Sequence, residues 1–188
     1  MKILASGYKK FLTLLLGIAS GGYLGYLFLT GNFHEVVPDE LYRSGQLDPE
    51  QIALYQKRHG IRTVLNLRGE NTGMEWYDKE IAATKKLGIK HLDFRMSAKR
   101  ELSTTQALQL IDIMRTAPKP LLIHCHSGAN RTGLAAALYL AGVKRRGEEI
   151  SERQISLRYG HFPLWFSDSY AMDRTFEKME TALFGWPS

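Results

Sequence analysis

The sequence predicts an α/β fold in which helices flank a central, mostly parallel sheet, preceded by one N-terminal transmembrane helix. Strand and helix patterns alternate along most of the chain, an order that is typical of parallel sheets covered on both faces. Residues 120–125 form a short, continuous apolar run, as expected of a buried parallel strand. Residues 11–29 are nineteen positions without a charged side chain, close to the ~20 that span a bilayer as a helix.

The run 11–29 is interpreted as an uncleaved signal anchor. A secretory signal peptide has a shorter apolar region of about 7–15 residues and a small-residue cleavage site, which is not evident here. A cleaved signal peptide and a buried core helix are the alternatives. Lys2, Lys9 and Lys10 precede the run, so the positive-inside rule predicts a cytoplasmic N terminus and a domain on the outer, periplasmic side of the membrane.

We expect the chain to divide into this anchor, residues 1–30, and one globular domain, residues 31–188. Residues 30–40 have the composition of a short linker into the domain. Small residues at four-residue spacing predict a helix-pairing face and with it a homodimer, although glycine is also common in membrane helices. These residues are Gly17, Gly21 and Gly25.

The composition narrows the functional classes. The chain has 188 residues, of which 44% are hydrophobic and 23% charged, as in folded domains and unlike disordered chains. The net charge of +6 is not gathered into a basic run with interleaved aromatic residues, so nucleic-acid binding is not expected. The single cysteine rules out an internal disulfide and a multi-cysteine metal cluster.

The elements of the domain follow from their caps and their periodicity. Asp48 suits an N-cap, Pro49 suits the first helical position, and Gly60 ends that helix. Ser103 and Gln106 form a capping box at the start of an amphipathic helix. In chain order we predict a helix over 48–60, a strand over 61–68, a helix over 73–88, a strand over 89–96, a helix over 103–117, a strand over 120–125, a helix over 131–142, and two helical stretches near 147–159 and 168–184.

The stretch HCHSGANRTG, residues 124–133, lies at the carboxyl end of a predicted strand, where open sheets bind ligands. The loop around Gly128 can direct backbone N–H groups into one concavity, and the following helix adds the partial positive charge of its N terminus. Arg131 offers a planar fork suited to phosphate oxygens. The same field stabilises a thiolate at Cys125. These residues predict attack by Cys125 on a bound phosphoryl group, giving a cysteinyl-phosphate.

This stretch resembles H-C-x-x-G-x-x-R-T-G, the signature of cysteine-dependent protein phosphatases, position for position. Residues 41–70, LYRSGQLDPEQIALYQKRHGIRTVLNLRGE, resemble the opening of compact, atypical dual-specificity phosphatases of bacteria, plants and fungi. The similarity extends over roughly residues 36–160. It implies a protein-tyrosine-phosphatase-like fold, a phosphorylated protein or small phosphomonoester as substrate, and neither a metal nor an organic cofactor.

The resemblance also implies a role for each residue of the motif. Cys125 resembles the nucleophile, and Arg131 the arginine that clamps the phosphate. Thr132 resembles the hydroxyl that steadies the leaving thiolate, and His124 the histidine that orients the loop. The loop amides that bind phosphate are then those of His126, Ser127, Gly128, Ala129 and Asn130.

Other readings of this loop are a buried apolar cysteine, a sulfur-transferring cysteine, a phosphate-binding module without turnover, and a zinc site. Zinc binding by His124, Cys125 and His126 is disfavoured, since adjacent residues of an extended chain point to opposite sides.

The general acid that protonates the leaving group is not evident from the sequence. In the resembled family an aspartate on the preceding loop has this role, but the corresponding loop 96–102, MSAKREL, contains none. Glu101 on this loop and Asp93 in the strand before it are the candidates. The third alternative is that neither acts, and that the substrate has an acidic leaving group such as a phenol or a phosphate.

Four basic residues are candidates for further substrate contacts: Lys99, Arg100, Arg68 and Arg43. Relatives that act on inositol phosphates carry lysines in the loop, as in H-C-K-x-G-K-x-R, where this chain has His126 and Asn130 or Ala129. We therefore expect a phosphotyrosine, phosphoprotein or aryl phosphate substrate, with an inositol phosphate or phosphoinositide as the alternative.

Overall fold

The computed structural model describes residues 2–186, and of residues 2–10, 12 and 16 it describes only the backbone. The lysines that led to the predicted topology, Lys2, Lys9 and Lys10, have their side chains outside this description. The helices are α1 (Lys2–Leu29), α2 (Pro49–His59), α3 (Glu75–Lys86), α4 (Thr104–Thr116), α5 (Asn130–Gly142), α6 (Glu148–Glu152) and α7 (Ala171–Met179). The strands are β1 (His34–Val37), β2 (Leu41–Ser44), β3 (Thr63–Asn66), β4 (Lys90–Asp93) and β5 (Leu121–His124). Short 3-10 turns cover Leu157–Tyr159 and Asp168–Tyr170, and a π-helical turn covers Glu180–Phe184.

The strands form one sheet in the order β1-β2-β5-β3-β4. The pairs β2–β5, β5–β3 and β3–β4 are parallel, whereas β1 pairs with β2 in antiparallel fashion. The predicted α/β class with a mostly parallel central sheet is therefore confirmed. The edge strand β1 lies within the stretch 30–40 that we expected to be a linker.

The register of the parallel strands aligns their carboxyl ends in one row. Ser44 pairs with His124, His124 pairs with Asn66, and Asn66 pairs with Asp93. Any loop that follows these strands therefore starts from the same edge of the sheet, as the sequence pattern requires for a ligand site.

Helices cover both faces of the sheet, and β5 contributes to both apolar cores. Leu121 and Ile123 belong to the larger core with α4, α5 and α7, whereas Leu122 belongs to the smaller core on the other face. The same alternation continues past the strand end: Cys125 lies in the larger core, and His124 points to the face covered by α3. These neighbouring side chains therefore occupy opposite sides of the sheet.

The predicted membrane anchor and the export of the domain are wrong. No helix among the described residues combines the length and the hydropathy that a membrane span requires. The last turns of α1 instead contact the domain: Leu27 is buried, and the hydroxyl of Tyr23 donates to the carbonyl of Arg158. Pairing of two chains through Gly17, Gly21 and Gly25 stays a prediction.

Candidate active site

The loop between β5 and α5 is held in a tight left-handed turn at Gly128. Its φ angle is 76°, a conformation that favours glycine. A Cβ atom at this position would lie 2.6 Å from the backbone nitrogen of Gly45 and 2.9 Å from the carbonyl oxygen of Ser44. Glycine is therefore required both by the backbone angle and by the close approach of the segment that follows β2.

Three successive backbone carbonyls of the loop accept hydrogen bonds from groups behind the loop. The backbone N–H of Gln46 donates to the carbonyl of His126 over 3.0 Å. The side-chain amide of Asn32 donates to the carbonyl of Ser127 over 2.9 Å, and Arg43 donates to that of Gly128 over 2.8 Å. These contacts turn the carbonyls away from the mouth of the loop.

The backbone N–H groups of the loop have the opposite surroundings. Within residues 2–186, those of 126–131 donate to no acceptor of the protein. His126 and Ser127 are exposed, but Gly128 and Ala129 are buried, where backbone donors are almost always paired. A row of free N–H groups at a helix N terminus is therefore a candidate site for an anion.

Arg131 extends this set of donors. It lies in the first turn of α5, where one of its terminal nitrogens donates to the carbonyl of Met96 over 3.4 Å. Its Nε atom is buried and has no hydrogen-bond partner among the described residues. An unpaired buried N–H on a cation is unfavourable without a ligand, so the fork of Arg131 has unused capacity for a ligand oxygen.

Cys125 and Thr132 lie at the two ends of this loop, both buried. The cysteine follows β5 directly and is 2% exposed. The hydroxyl of Thr132 is 3.4 Å from the carbonyl oxygen of Ser44, to which it donates. The predicted nucleophile and hydroxyl are thus adjacent to the row of free amides.

His124 is held by a carboxylate that the sequence analysis did not identify. Its Nε2 atom lies 3.1 Å from Oε1 of Glu80 on α3, and both side chains are buried. The same oxygen lies 2.8 Å from Nε2 of His91, and Gln46 donates to the other oxygen. Burial by itself raises the pKa of Glu80, but the charge and hydrogen bonds of His124 and then His91 outweigh it and hold this pKa well below its ordinary value. Glu80 therefore stays ionised beneath the loop.

A sequence signal for Glu80 was available. The buried residues of α3 are Tyr77, Glu80, Ala83 and Thr84, so the glutamate lies on the apolar face of an amphipathic helix. A carboxylate on such a face needs a buried partner.

Asp93, the first candidate acid, ends β4 with both oxygens occupied. Asn66 donates to Oδ1 over 2.8 Å, and the hydroxyl of Tyr77 donates to Oδ2 over 2.7 Å. His91 lies 3.6 Å from Oδ2 and links this aspartate to Glu80. Asp93, itself exposed, thus lies at the outer end of the polar network on the α3 face of the sheet.

Glu101, the second candidate acid, pairs with two cations on α7. Arg174 donates to one oxygen over 2.8 Å and Lys178 to the other over 3.0 Å. The hydrogen bonds from Arg174 and then Lys178 lower the pKa of this carboxyl. A carboxyl with a lowered pKa is seldom protonated at neutral pH, which is unfavourable for an acid.

Of the four predicted substrate-binding cations, Arg68 interacts electrostatically with both Arg131 and Cys125. Its guanidinium stacks 3.3 Å above the ring of Trp76 and donates to the side chain of Gln46 over 2.8 Å. Burial and then the charge of Arg131 lower its pKa, whereas Glu80 and Cys125 act in the opposite direction. Arg68 thus shares one electrostatic environment with the loop.

The other three predicted cations have different positions. Lys99 is exposed and pairs with Asp168 over 3.2 Å, and Arg100 is exposed on the same loop. Arg43 is fully buried behind the loop instead of lining a cleft.

His161 joins the loop to the C-terminal part of the domain. It is fully buried, with Nδ1 2.9 Å from Oδ1 of Asn130 and Nε2 2.9 Å from a carboxylate oxygen of Asp173 on α7. It thereby braces the residue that precedes Arg131. No cluster that could hold a metal ion occurs in the described part of the chain.

Comparisons with known proteins relate this geometry to a family. Residues 33–168 match the family described as DSP-PTPase phosphatase fused to NAD+ kinase. The inositol diphosphatase SIW14 of Saccharomyces cerevisiae is 30% identical over 155 residues, which are 79% of this chain and 50% of that protein. The chain therefore spans about half the length of this curated relative.

Solved structures share the fold. TpbA of P. aeruginosa has a TM-score of 0.63 at 23% identity, over 78% of this chain and 84% of that one. A variant of TpbA has been crystallised in complex with pTyr. The core catalytic domain of SIW14 from S. cerevisiae, in complex with citrate, has a TM-score of 0.59 at 21% identity, over 80% of this chain and 91% of that one.

Proposed function

The chain belongs to the DSP-PTPase phosphatase family, and from this membership we propose that it cleaves phosphoester bonds through a phosphocysteine at Cys125. One observation carries the proposal. The backbone N–H groups of 126–131 and Nε of Arg131 are free of protein acceptors within the described residues, and they surround the end of β5 where Cys125 lies. This is the donor set that a phosphoryl group requires.

In the first step the thiolate of Cys125 attacks phosphorus. An S–P bond forms, the P–O bond to the leaving group breaks, and the leaving oxygen takes the electron pair. The loop amides and Arg131 hold the equatorial oxygens, whose charge is greatest in the transition state. His124 positions the cysteine from the other face of the sheet, where Glu80 fixes its ring.

In the second step a water molecule attacks phosphorus and the S–P bond breaks. The departing thiolate is stabilised by the helix N terminus, and we assign the hydroxyl of Thr132 to the same task. Inorganic phosphate is released, and Cys125 is restored. Neither step uses a metal or an organic cofactor.

The positions of the two candidate acids favour substrates with acidic leaving groups. Glu101 pairs with Arg174 and Lys178, and both oxygens of Asp93 already accept hydrogen bonds. A leaving phosphate, with a second pKa of about 6, or a phenol, with a pKa of about 10, departs with less help than an alkyl alcohol. We therefore propose an aryl phosphate such as phosphotyrosine as the first candidate substrate.

An inositol diphosphate is the second candidate. Its terminal phosphoryl group leaves an acidic phosphate behind, so the lack of a free carboxyl matters least for it. Arg68 beside the loop and Lys99 and Arg100 on the neighbouring loop offer cations for further phosphates. The sequence similarity to an inositol diphosphatase supports this candidate.

Steady-state kinetics of the purified full chain test the proposal, with p-nitrophenyl phosphate, a phosphotyrosine peptide and an inositol diphosphate as substrates. We expect turnover that vanadate inhibits and that Cys125→Ser abolishes. Turnover that survives Cys125→Ser would overturn the mechanism. If the unmutated chain binds phosphorylated ligands but releases no phosphate from any of the three substrates, the proposed phosphatase activity is wrong. The domain is then a phosphate-binding module.

A further inference from the structure

Arg43 is a charged side chain that lies behind the proposed catalytic loop. It lies on β2 and is 0% exposed. One terminal nitrogen donates to the backbone carbonyl of Gln154 over 2.8 Å and to its side-chain oxygen over 2.9 Å. The other donates to the carbonyl of Gly128 over 2.8 Å. The guanidinium thus joins the loop to the segment between α6 and the 3-10 turn Leu157–Tyr159.

Arg43 has no carboxylate partner within the described part of the chain. Its neighbours are neutral carbonyls and the ring of Tyr159, 3.7 Å below the guanidinium. A fully buried charge without a counter-ion is costly, so such an arrangement is retained where the charge has another use. The nearby group that could serve as the counter-ion is Cys125, at the start of the loop.

The charged and titratable groups around Arg43 point to Cys125. Burial lowers the pKa of Arg43 to about 10, and Tyr159 and then Cys125 act against this shift, while Arg158 adds to it. Arg43 therefore remains protonated at neutral pH. On β1, burial and then the charges of Arg43 and Arg158 lower the pKa of His34 to about 4, so this neighbour is neutral. The groups that oppose the shift, Tyr159 and Cys125, are the two of this set that can become anions. Cys125 directly follows β5, in which Ile123 is the register partner of Arg43, and a thiol is ordinarily more acidic than a phenol.

We propose that Arg43 is the buried counter-charge of the catalytic loop, which stabilises the Cys125 thiolate from behind and orients the loop through the carbonyl of Gly128. It is a positioning residue, because Arg131 and the loop amides alone face the phosphoryl group. The inference rests on the proposed function in that it assigns a thiolate to Cys125. Its chemistry is testable without turnover, since Cys125 is the only cysteine of the chain.

The test is the pH dependence of Cys125 alkylation by iodoacetamide in the full-length chain and in Arg43→Met, Arg43→Gln and Arg43→Lys. An opposite charge near a titrating group moves its midpoint by about one pH unit or more. We expect the neutral variants to need a pH higher by about one unit for half-maximal alkylation, and Arg43→Lys to stay near the unmutated chain. Arg62→Met is the matched control, because this arginine is exposed at the opposite end of β3.

Circular dichroism and thermal unfolding accompany each alkylation series. An unchanged midpoint in a folded neutral variant would overturn the proposal. Unfolding of both neutral variants beside a folded Arg43→Lys would overturn it as well, because Arg43 would then support the domain as a whole. A chain that shows the expected shift but no phosphatase activity would contradict the proposed function and not this inference.

Discussion

His124 and Glu80 form a buried contact in which Nε2 of the histidine lies 3.1 Å from Oε1 of the glutamate. The contact ties the end of β5 to α3 on the face of the sheet opposite Cys125. Since Glu80 also contacts His91 and Gln46, the proposed nucleophile Cys125 is adjacent to a network that extends to Asp93. The proposed catalytic loop is thus supported on both faces of the sheet.

Replacing Glu80 by glutamine tests this support. We expect a loss of about 1–3 kcal/mol in the free energy of unfolding, since the buried partners lose a charged acceptor. We also expect kcat/KM to fall by roughly tenfold, which corresponds to about 1.4 kcal/mol of transition-state stabilisation. Chemical denaturation and steady-state kinetics measure the two losses. The exposed Glu50→Gln on α2 is the control, and a Glu80→Gln chain with unmutated stability and kinetics would contradict this role.

The pH dependence of stability gives a second prediction for the same residue. The folded-state pKa of Glu80 lies below its ordinary value of 4.5. A depressed carboxyl stabilises the fold above its unfolded pKa, and that contribution is lost as the pH falls through the folded value. Thermal unfolding of the unmutated chain should therefore weaken steeply below about pH 4.5, and Glu80→Gln should show a shallower fall. Parallel curves for the two chains would contradict the assignment.

The anion site of the loop 124–133 was predictable because the residues that form it are close together in sequence. The apolar strand, Gly128, Arg131 and the helix that follows occupy one continuous stretch, so spacing alone indicates an anion site. The supports of the loop were not predictable in this way. The contact of Glu80 with His124 joins residues 44 positions apart, and that of Arg43 with Gly128 joins residues 85 apart. Only the strand order brings these pairs together.

The contacts of the N-terminal helix were not predictable from its sequence. The charge-free run 11–29 indicates a helix, but the contact of Tyr23 with Arg158 joins residues 135 positions apart. The surroundings of Glu101 were not predictable for the same reason. Glu101 lies on the loop 96–102, but α7 supplies Arg174 and Lys178 from a distant part of the chain.

Arg131→Lys should separate charge from geometry in the anion site. Lysine keeps the charge but cannot make the bidentate contact, so we expect kcat/KM to fall by roughly 10²–10³, as when one preorganised donor is removed. Vanadate inhibition should weaken in parallel, because the inhibitor uses the same donors. Arg62→Lys, at an exposed site, serves as the control. Full activity in Arg131→Lys would show that the fork is not used.

Neither candidate carboxylate should behave as a strong general acid. For Glu101→Gln and Asp93→Asn, we expect kcat with p-nitrophenyl phosphate to change by much less than the ~10² that general acid catalysis supplies. A series of aryl phosphates with increasingly basic leaving groups is the sharper measurement. If the rate falls steeply with leaving-group basicity in both the unmutated and variant chains, no acid assists. A steep dependence that appears only in one variant would identify that residue as the acid.

Gly128→Ala should distort the proposed catalytic loop more than the backbone angle alone explains. The left-handed conformation costs an alanine about 1–2 kcal/mol, and its Cβ would also lie 2.6 Å from the nitrogen of Gly45. Gly60 is the matched control, because its φ is 65° and nothing lies within 4 Å of a Cβ placed there. Thermal unfolding of Gly60→Ala therefore measures only the cost of placing alanine in the left-handed conformation. We expect Gly128→Ala to be less stable than Gly60→Ala and to lose phosphate release, because the loop must move away from Ser44 and Gly45. Equal stability of the two variants, with phosphate release intact in Gly128→Ala, would show that the close approach does not hold the loop in place.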